Sequence, residues 1–196
     1  MNDEDWNYWY PIIVIAILAL LITFAAPARS AVFPSQYDYD IRRAAKSYLP
    51  SVPWRLYKAQ LWQESRLDPT ARSPAGAEGI AQFMPATAGD ILPLLGYRAV
   101  DRRAAGPAIQ AGAYYMARLR ASWAAPRSED DRHKLALASY NAGMGNLLRS
   151  QQHCGNPATY DAIMACLPQV TGRHAAETLA YAPRIYQWFH LMVTAR

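Results

Sequence analysis

The sequence predicts a mainly α fold: one globular helical domain with a small β or loop element, preceded by a single transmembrane helix. Three observations carry this. Of the 196 residues, 52% are apolar and 18% charged, enough for one sizeable core and too apolar for a disordered chain. Beyond residue 40, apolar residues recur at helical steps between Pro and Gly stops, and no stretch alternates long enough to give an extended sheet. An almost unbroken apolar run fills residues 11–26.

That run comes first. No charge occurs from Trp6 to Ala28, a length that fits a bilayer core. Trp6, Tyr8, Trp9 and Tyr10 supply an aromatic belt at one end. A cleaved secretory signal is the rival, but Asp3, Glu4 and Asp5 stand where a signal wants positive charge. Residues 1–28 are therefore read as a retained anchor or uncleaved signal, 29–39 as a linker, and 40–196 as one domain. Orientation is in conflict: Arg29, Arg42, Arg43 and Lys46 follow the run, which by the positive-inside rule places the domain in the cytoplasm.

Helices follow. Asp40 to Leu49 is closed by Pro50. Pro53 opens the next helix, which runs to about Leu67 before Pro69. Residues 70–84 carry turn residues and form a loop or small hairpin. A helix starts at Met84-Pro85. Others cover Pro107–Ala124, Asp130–Asn141 and His174–Thr194, and residues 150–172 read as a variable insertion.

Trp54, Tyr57, Leu61 and Glu64 recur at steps of three, four and three, which places Glu64 on, or at the rim of, an inward face. A carboxyl there loses hydration, its pKa rises, and it can donate a proton near neutrality. The plainer reading pairs Glu64 with Arg66 or Arg72. Two clusters shift the balance. Ser73-Pro-Ala-Gly-Ala-Glu-Gly-Ile-Ala-Gln-Phe-Met-Pro-Ala-Thr-Ala88 holds two glycines that permit close approach, and Gln82, which suits sugar hydroxyls and amides. Ala138-Ser-Tyr-Asn-Ala-Gly143 offers Tyr140 and Asn141 at a helix end capped by Gly143.

Together with Glu64-Ser65, Asp68-Pro69, Gly145 and Glu177-Thr-x-x-Tyr181-x-x-Arg184-Ile185, these pieces resemble the catalytic domain of the lytic transglycosylases, of the soluble-lytic-transglycosylase type, with a lysozyme-like α+β fold related to goose-type lysozyme. The resemblance covers about residues 40–195. Ser139 and Ala108-Ile109 depart from the family pattern, and the latter puts one helix contact in question. The resemblance implies a peptidoglycan substrate cut at the β-1,4 bond between N-acetylmuramic acid and N-acetylglucosamine. It also implies Glu64 as acid and then base, forming a 1,6-anhydro end. Ser73, Gln82, the backbone at Met84, Tyr140 and Asn141 would meet substrate, and Glu177 and Tyr181 would brace the site. For Ser73, Arg184 and Ile185, loop and core roles are as open as contact. Asp68 would brace its loop, while Glu78 stays open as a second carboxyl.

Cys154 and Cys166 can close a short disulfide loop in an oxidising compartment, and the spacing around His153 and His174 does not fit a metal site. His133 and His190 read as surface residues. No cofactor or metal is implied. The chain beyond residue 30 carries a charge of +7, which favours polyanions, but no Lys/Arg cluster marks a nucleic-acid module. Expected partners are glycan strands, the membrane through the N-terminal helix, and secretion, conjugation or phage assembly proteins. The expected location is membrane-anchored in the periplasm, facing the wall. A hydrolytic muramidase and a non-catalytic wall-binding protein are the alternatives.

Overall fold

The computed structural model describes residues 33–195. The anchor expected over residues 1–28 lies outside them, and among the described residues no helix is long and apolar enough to cross a membrane.

The described chain is helical, as its Pro and Gly punctuation foretells. Helix α1 (Asp38–Tyr48) starts two residues earlier than the sequence suggests. Buried Lys58 supplies the reason: its ammonium donates to Asp38 at 2.5 Å and to the Pro34 carbonyl at 2.7 Å. A buried ammonium needs such acceptors. They draw the last part of the expected linker onto the domain, where Phe33 also meets Trp62 edge-on at 5.2 Å.

Helix α2 (Trp54–Ser65) buries Leu56 to Leu61 and packs against α1 and the C-terminal helix. It stops at Arg66 and Leu67, two consecutive non-glycine residues in the left-handed region with φ of 59° and 63°. The expected continuation to Leu67 therefore does not form. The Arg66 guanidinium is held between the Trp62 ring at 5.1 Å and the Trp188 ring at 4.5 Å. Helix α3 (Pro85–Ile91) leads through two short 3-10 turns into α4 (Ala105–Ser122). There Gly112 lets α4 approach α2: a Cβ at that position would lie 2.5 Å from Tyr57 Oη. The same hydroxyl donates to the Ile109 carbonyl at 2.6 Å. The Ala108-Ile109 departure thus keeps its contact with α2 through the backbone.

Helix α5 (Glu129–Ala142) opens on Ser128, whose hydroxyl accepts from Asp131 N at 3.0 Å, and ends at Gly143 with φ of +85°. The stretch read only as an insertion, 150–172, holds the last turn of α6 (Met144–His153) and all of α7 (Tyr160–Met164) and α8 (Leu167–Thr171), closed by a Cys154–Cys166 disulfide. Helix α9 (Ala175–Thr194) then packs along α2 and α5. The small β element reduces to two isolated bridges, Arg72 with Glu78 and Glu78 with Phe83. Leu61, Ile80, Phe83, Ile109, Leu135 and Ile185 lie in one core shared by these helices.

His133 corrects the sequence reading. It is 4% exposed rather than on the surface, and neither ring nitrogen has a partner among the described residues. Burial, helped by the Arg120 charge, pushes its pKa down to about 3, so it is a neutral core residue.

Candidate active site

Glu64 sits in the last turn of α2, one turn beyond buried Leu61, so the helix period aims it into the domain. The abrupt stop at Arg66 keeps that turn from extending past it. Ser65 fixes the same turn to the loop by donating to the Ile80 carbonyl at 2.9 Å. Neither arginine proposed as a partner takes Glu64. Arg66 is committed to the two indoles, and Arg72 lies 3.6 Å from Glu78.

The partner of Glu64 is Tyr181 on α9, whose phenol donates to Oε1. Burial pushes the Glu64 pKa up to about 7, the Tyr181 hydrogen bond opposes this, and the nearby Glu177 charge adds to it. Burial leads because water removed from a carboxylate is costly to replace. Burial likewise raises the phenols of Tyr181 and Tyr140 well above their ordinary range, so both stay neutral donors.

Around Glu64 a cleft of about 560 Å³ opens, and it gathers every residue singled out for the site: Glu64, Ser73, Gln82, Met84, Tyr140, Asn141, Glu177 and Tyr181. Each is set by its own element. Gln82, in the left-handed region at φ of 47°, spends its amide NH2 on the Gly79 and Ala71 carbonyls at 2.8 and 3.2 Å. Ser73 closes the loop by accepting from Ala77 N at 3.0 Å, so its hydroxyl has a structural task as well as a place on the wall. Met84 precedes α3 in extended backbone and is 41% exposed. Tyr140 donates to the Ala81 carbonyl at 2.7 Å and packs between Phe83 and Tyr115. Asn141 donates to Glu177 at 3.1 Å and accepts from Thr178 at 2.6 Å, which fixes its amide at the rim.

The loop carboxyls are disposed of by their neighbours. Glu78 accepts two bonds from Arg103, at 2.6 and 3.1 Å, and lies 2.8 Å from Arg102. The Arg103 bonds hold its pKa below the usual carboxylate value. It is a clamp for the loop. Asp68 accepts from the Thr70 hydroxyl and backbone, both at 2.7 Å, which lowers its pKa and makes it a turn brace. Of these three carboxyls, Glu64 is the one whose pKa is pushed up.

Sequence reasoning missed two features. Gln63 lines the cleft and accepts from Trp188 Nε1 at 2.9 Å; its position beside Glu64 was the available signal. Gln60, only 1% exposed, lies one turn before Glu64 on α2, and its Oε1 has no hydrogen-bond partner among the described residues; its spacing of four from Glu64 marked the face but not the burial. Arg184 also lines the cleft, whereas Ile185 belongs to the core.

Comparison with known proteins bears on the family and the fold. The membrane-bound lytic murein transglycosylase F of Erwinia tasmaniensis is 30% identical over 149 residues, which cover 73% of this chain and 29% of that protein. The chain thus spans less than a third of the length of such relatives. Two solved structures share the fold. The 70 kDa soluble lytic transglycosylase of Escherichia coli matches with a TM-score of 0.62 at 23% identity, over 81% of this chain and 24% of that one. An inactive mutant of the lytic transglycosylase Slt of Pseudomonas aeruginosa matches with a TM-score of 0.66 at 22% identity, over 98% and 29%. The family model described as the transglycosylase SLT domain matches residues 41–163, from α1 through the cleft-forming loop and α5 into α7, and the chain belongs to that family.

Proposed function

We propose that this domain is a peptidoglycan lytic transglycosylase with Glu64 as its single acid and base. One observation carries the reading: a carboxyl whose pKa lies near 7 faces a groove that also holds Gln82, Tyr140 and Asn141, while Glu78 and Asp68 are tied up elsewhere. Glycosidases that use two carboxyls need the second one poised across the scissile bond.

In the proposed reaction, protonated Glu64 gives its proton to the glycosidic oxygen as the bond from that oxygen to the muramoyl C1 breaks. The substrate acetamide carbonyl steadies the positive charge at C1. Glu64, now ionised and stabilised by the Tyr181 phenol, takes the proton of the sugar's own 6-hydroxyl. That oxygen bonds to C1 and closes the 1,6-anhydro ring. Water is neither consumed nor released, and Glu64 ends as it began. Asn141, held by Glu177 and Thr178, is positioned to orient the acetamide, and Tyr140 lies beside the developing charge.

The working place proposed is outside the cytoplasm, against the wall, because the Cys154–Cys166 disulfide needs an oxidising compartment. The test is Glu64→Gln on purified peptidoglycan. Cleavage should vanish with the fold intact, and wild-type muropeptides should be one water lighter than lysozyme products. Hydrated reducing ends would make the domain a muramidase, and cleavage by Glu64→Gln would remove the assignment.

A further inference from the structure

The exposed face of α1 carries Tyr39, Arg42, Arg43 and Lys46, spaced at i, i+3, i+4 and i+7. None is used by the cleft. Tyr39 is 73% exposed, with the Arg43 guanidinium 5.8 Å from its ring. Trp54, at the start of α2, continues the face and is flanked by two guanidinium groups, Arg42 at 4.2 Å and Arg55 at 4.9 Å. Of the acids on α1, Asp38 is taken by buried Lys58, and Asp40 lies 3.7 Å from Arg43. Four basic groups thus face one acid, interleaved with a phenol and an indole.

We infer that this face is a docking surface for an anionic lipid membrane. Basic side chains are drawn to acidic headgroups, and Tyr and Trp settle at the headgroup level. The chain's own order supports this occupant. The uncharged run ends at Ala28, and only residues 29–32 lie between it and Phe33, which packs on Trp62 five residues before α1. Fully extended those four reach at most about 14 Å, and α1 is the first helix to follow a run that enters a bilayer. Glu64 lies at the opposite end of α2 from Trp54, about 15 Å along the helix axis at 1.5 Å per residue. A domain seated on α1 would therefore hold its acid away from the lipid. The inference also removes the conflict over orientation. Three of the four basic residues that argue for a cytoplasmic domain, Arg42, Arg43 and Lys46, become a lipid-binding face, compatible with the oxidising compartment that the disulfide requires.

The test uses the full chain in nanodiscs of phosphatidylcholine alone or with about one third phosphatidylglycerol. Because Cys154 and Cys166 are bonded, a cysteine introduced as Ser47→Cys takes one fluorophore beside the basic face, and Leu148→Cys, exposed on α6, which packs on α5, α7 and α8, serves as the control. Quenching by headgroup spin labels reads proximity without reference to wall cleavage. The Ser47 label should be quenched at least about twofold more in the anionic discs. The difference should vanish at about 0.5 M NaCl, where screening shortens to roughly 4 Å, and in the R42Q/R43Q/K46Q variant. The Leu148 label should not respond. Equal quenching in the two lipids, a difference that survives in the triple variant, or a chain that elutes apart from both discs would overturn the inference. So would salt-sensitive quenching by spin-labelled anionic wall polymer with no lipid difference, which would assign the face to the wall.

Discussion

Removing the Tyr181 hydroxyl tests how the proton of the proposed acid, Glu64, is held. Tyr181→Phe keeps a ring at a position that is 4% exposed but deletes the phenol that donates to Glu64. That bond is the influence opposing burial at Glu64. A hydrogen bond to a charged group contributes roughly 1.5–3 kcal/mol, and each pH unit corresponds to about 1.4 kcal/mol. Part of the bond survives when Glu64 is protonated, so the lower end applies. The Glu64 pKa should rise from about 7 by roughly one unit. Two effects follow. The alkaline limb of kcat/KM moves up by that amount, because the acid stays protonated to higher pH. The plateau falls by about tenfold, because the carboxylate formed at mid-reaction loses its donor. The assay is release of soluble muropeptides from purified sacculi between pH 4 and 9, with Tm checked in parallel. An alkaline limb that stays in place or moves to lower pH would refute the reasoning. A lost plateau with an unmoved limb would make Tyr181 a packing residue only.

Further predictions follow from the same contacts. Glu64→Gln should stabilise the fold at pH 8 but not at pH 4. The folded pKa of Glu64 is raised from 4.5 to about 7, so the stability associated with its neutral form is intact below 4.5 and is lost as pH climbs through 7. The gain at pH 8 is at most about 3 kcal/mol, and equal Tm changes at both pH values would contradict it. Replacing Cys154 and Cys166 by Ser should cost about 3 kcal/mol for a loop of this length, read from the urea midpoint; reduced wild-type protein should match the double variant. Gly112→Ala should cost about 1–3 kcal/mol, because its methyl would meet Tyr57 Oη at 2.5 Å. An unchanged Tm would show that α4 has slack against α2.

Much of the site could be read from the chain because its residues lie in short blocks whose local chemistry is explicit. A glutamate on an apolar helix face, a Gly-rich loop ending in Gln82, and Tyr140-Asn141 ahead of a Gly cap each carry their own signal. What brings them together is tertiary, and only the structure supplies it: Asn141 bonded to Glu177 and Thr178, and Tyr181 bonded to Glu64 across a separation of 117 residues. Long helices were legible from their Pro and Gly stops. Helices α7 and α8 were not, since five-residue helices have little propensity signal and are fixed by packing and by the disulfide. His133 was misread because nothing local tells a buried neutral imidazole from a surface one. The early start of α1 was hidden because its cause, Lys58, lies 20 residues away.

The left-handed pair at Arg66 and Leu67 deserves an engineer's caution. Glycine at 66 would relax a backbone geometry that costs L-residues roughly 1–2 kcal/mol. Yet the same exchange would free the end of α2 from the two indoles that grip it, a loss of about 0.5–2 kcal/mol for each contact. The easier backbone would come with a loosened hinge beneath the proposed acid.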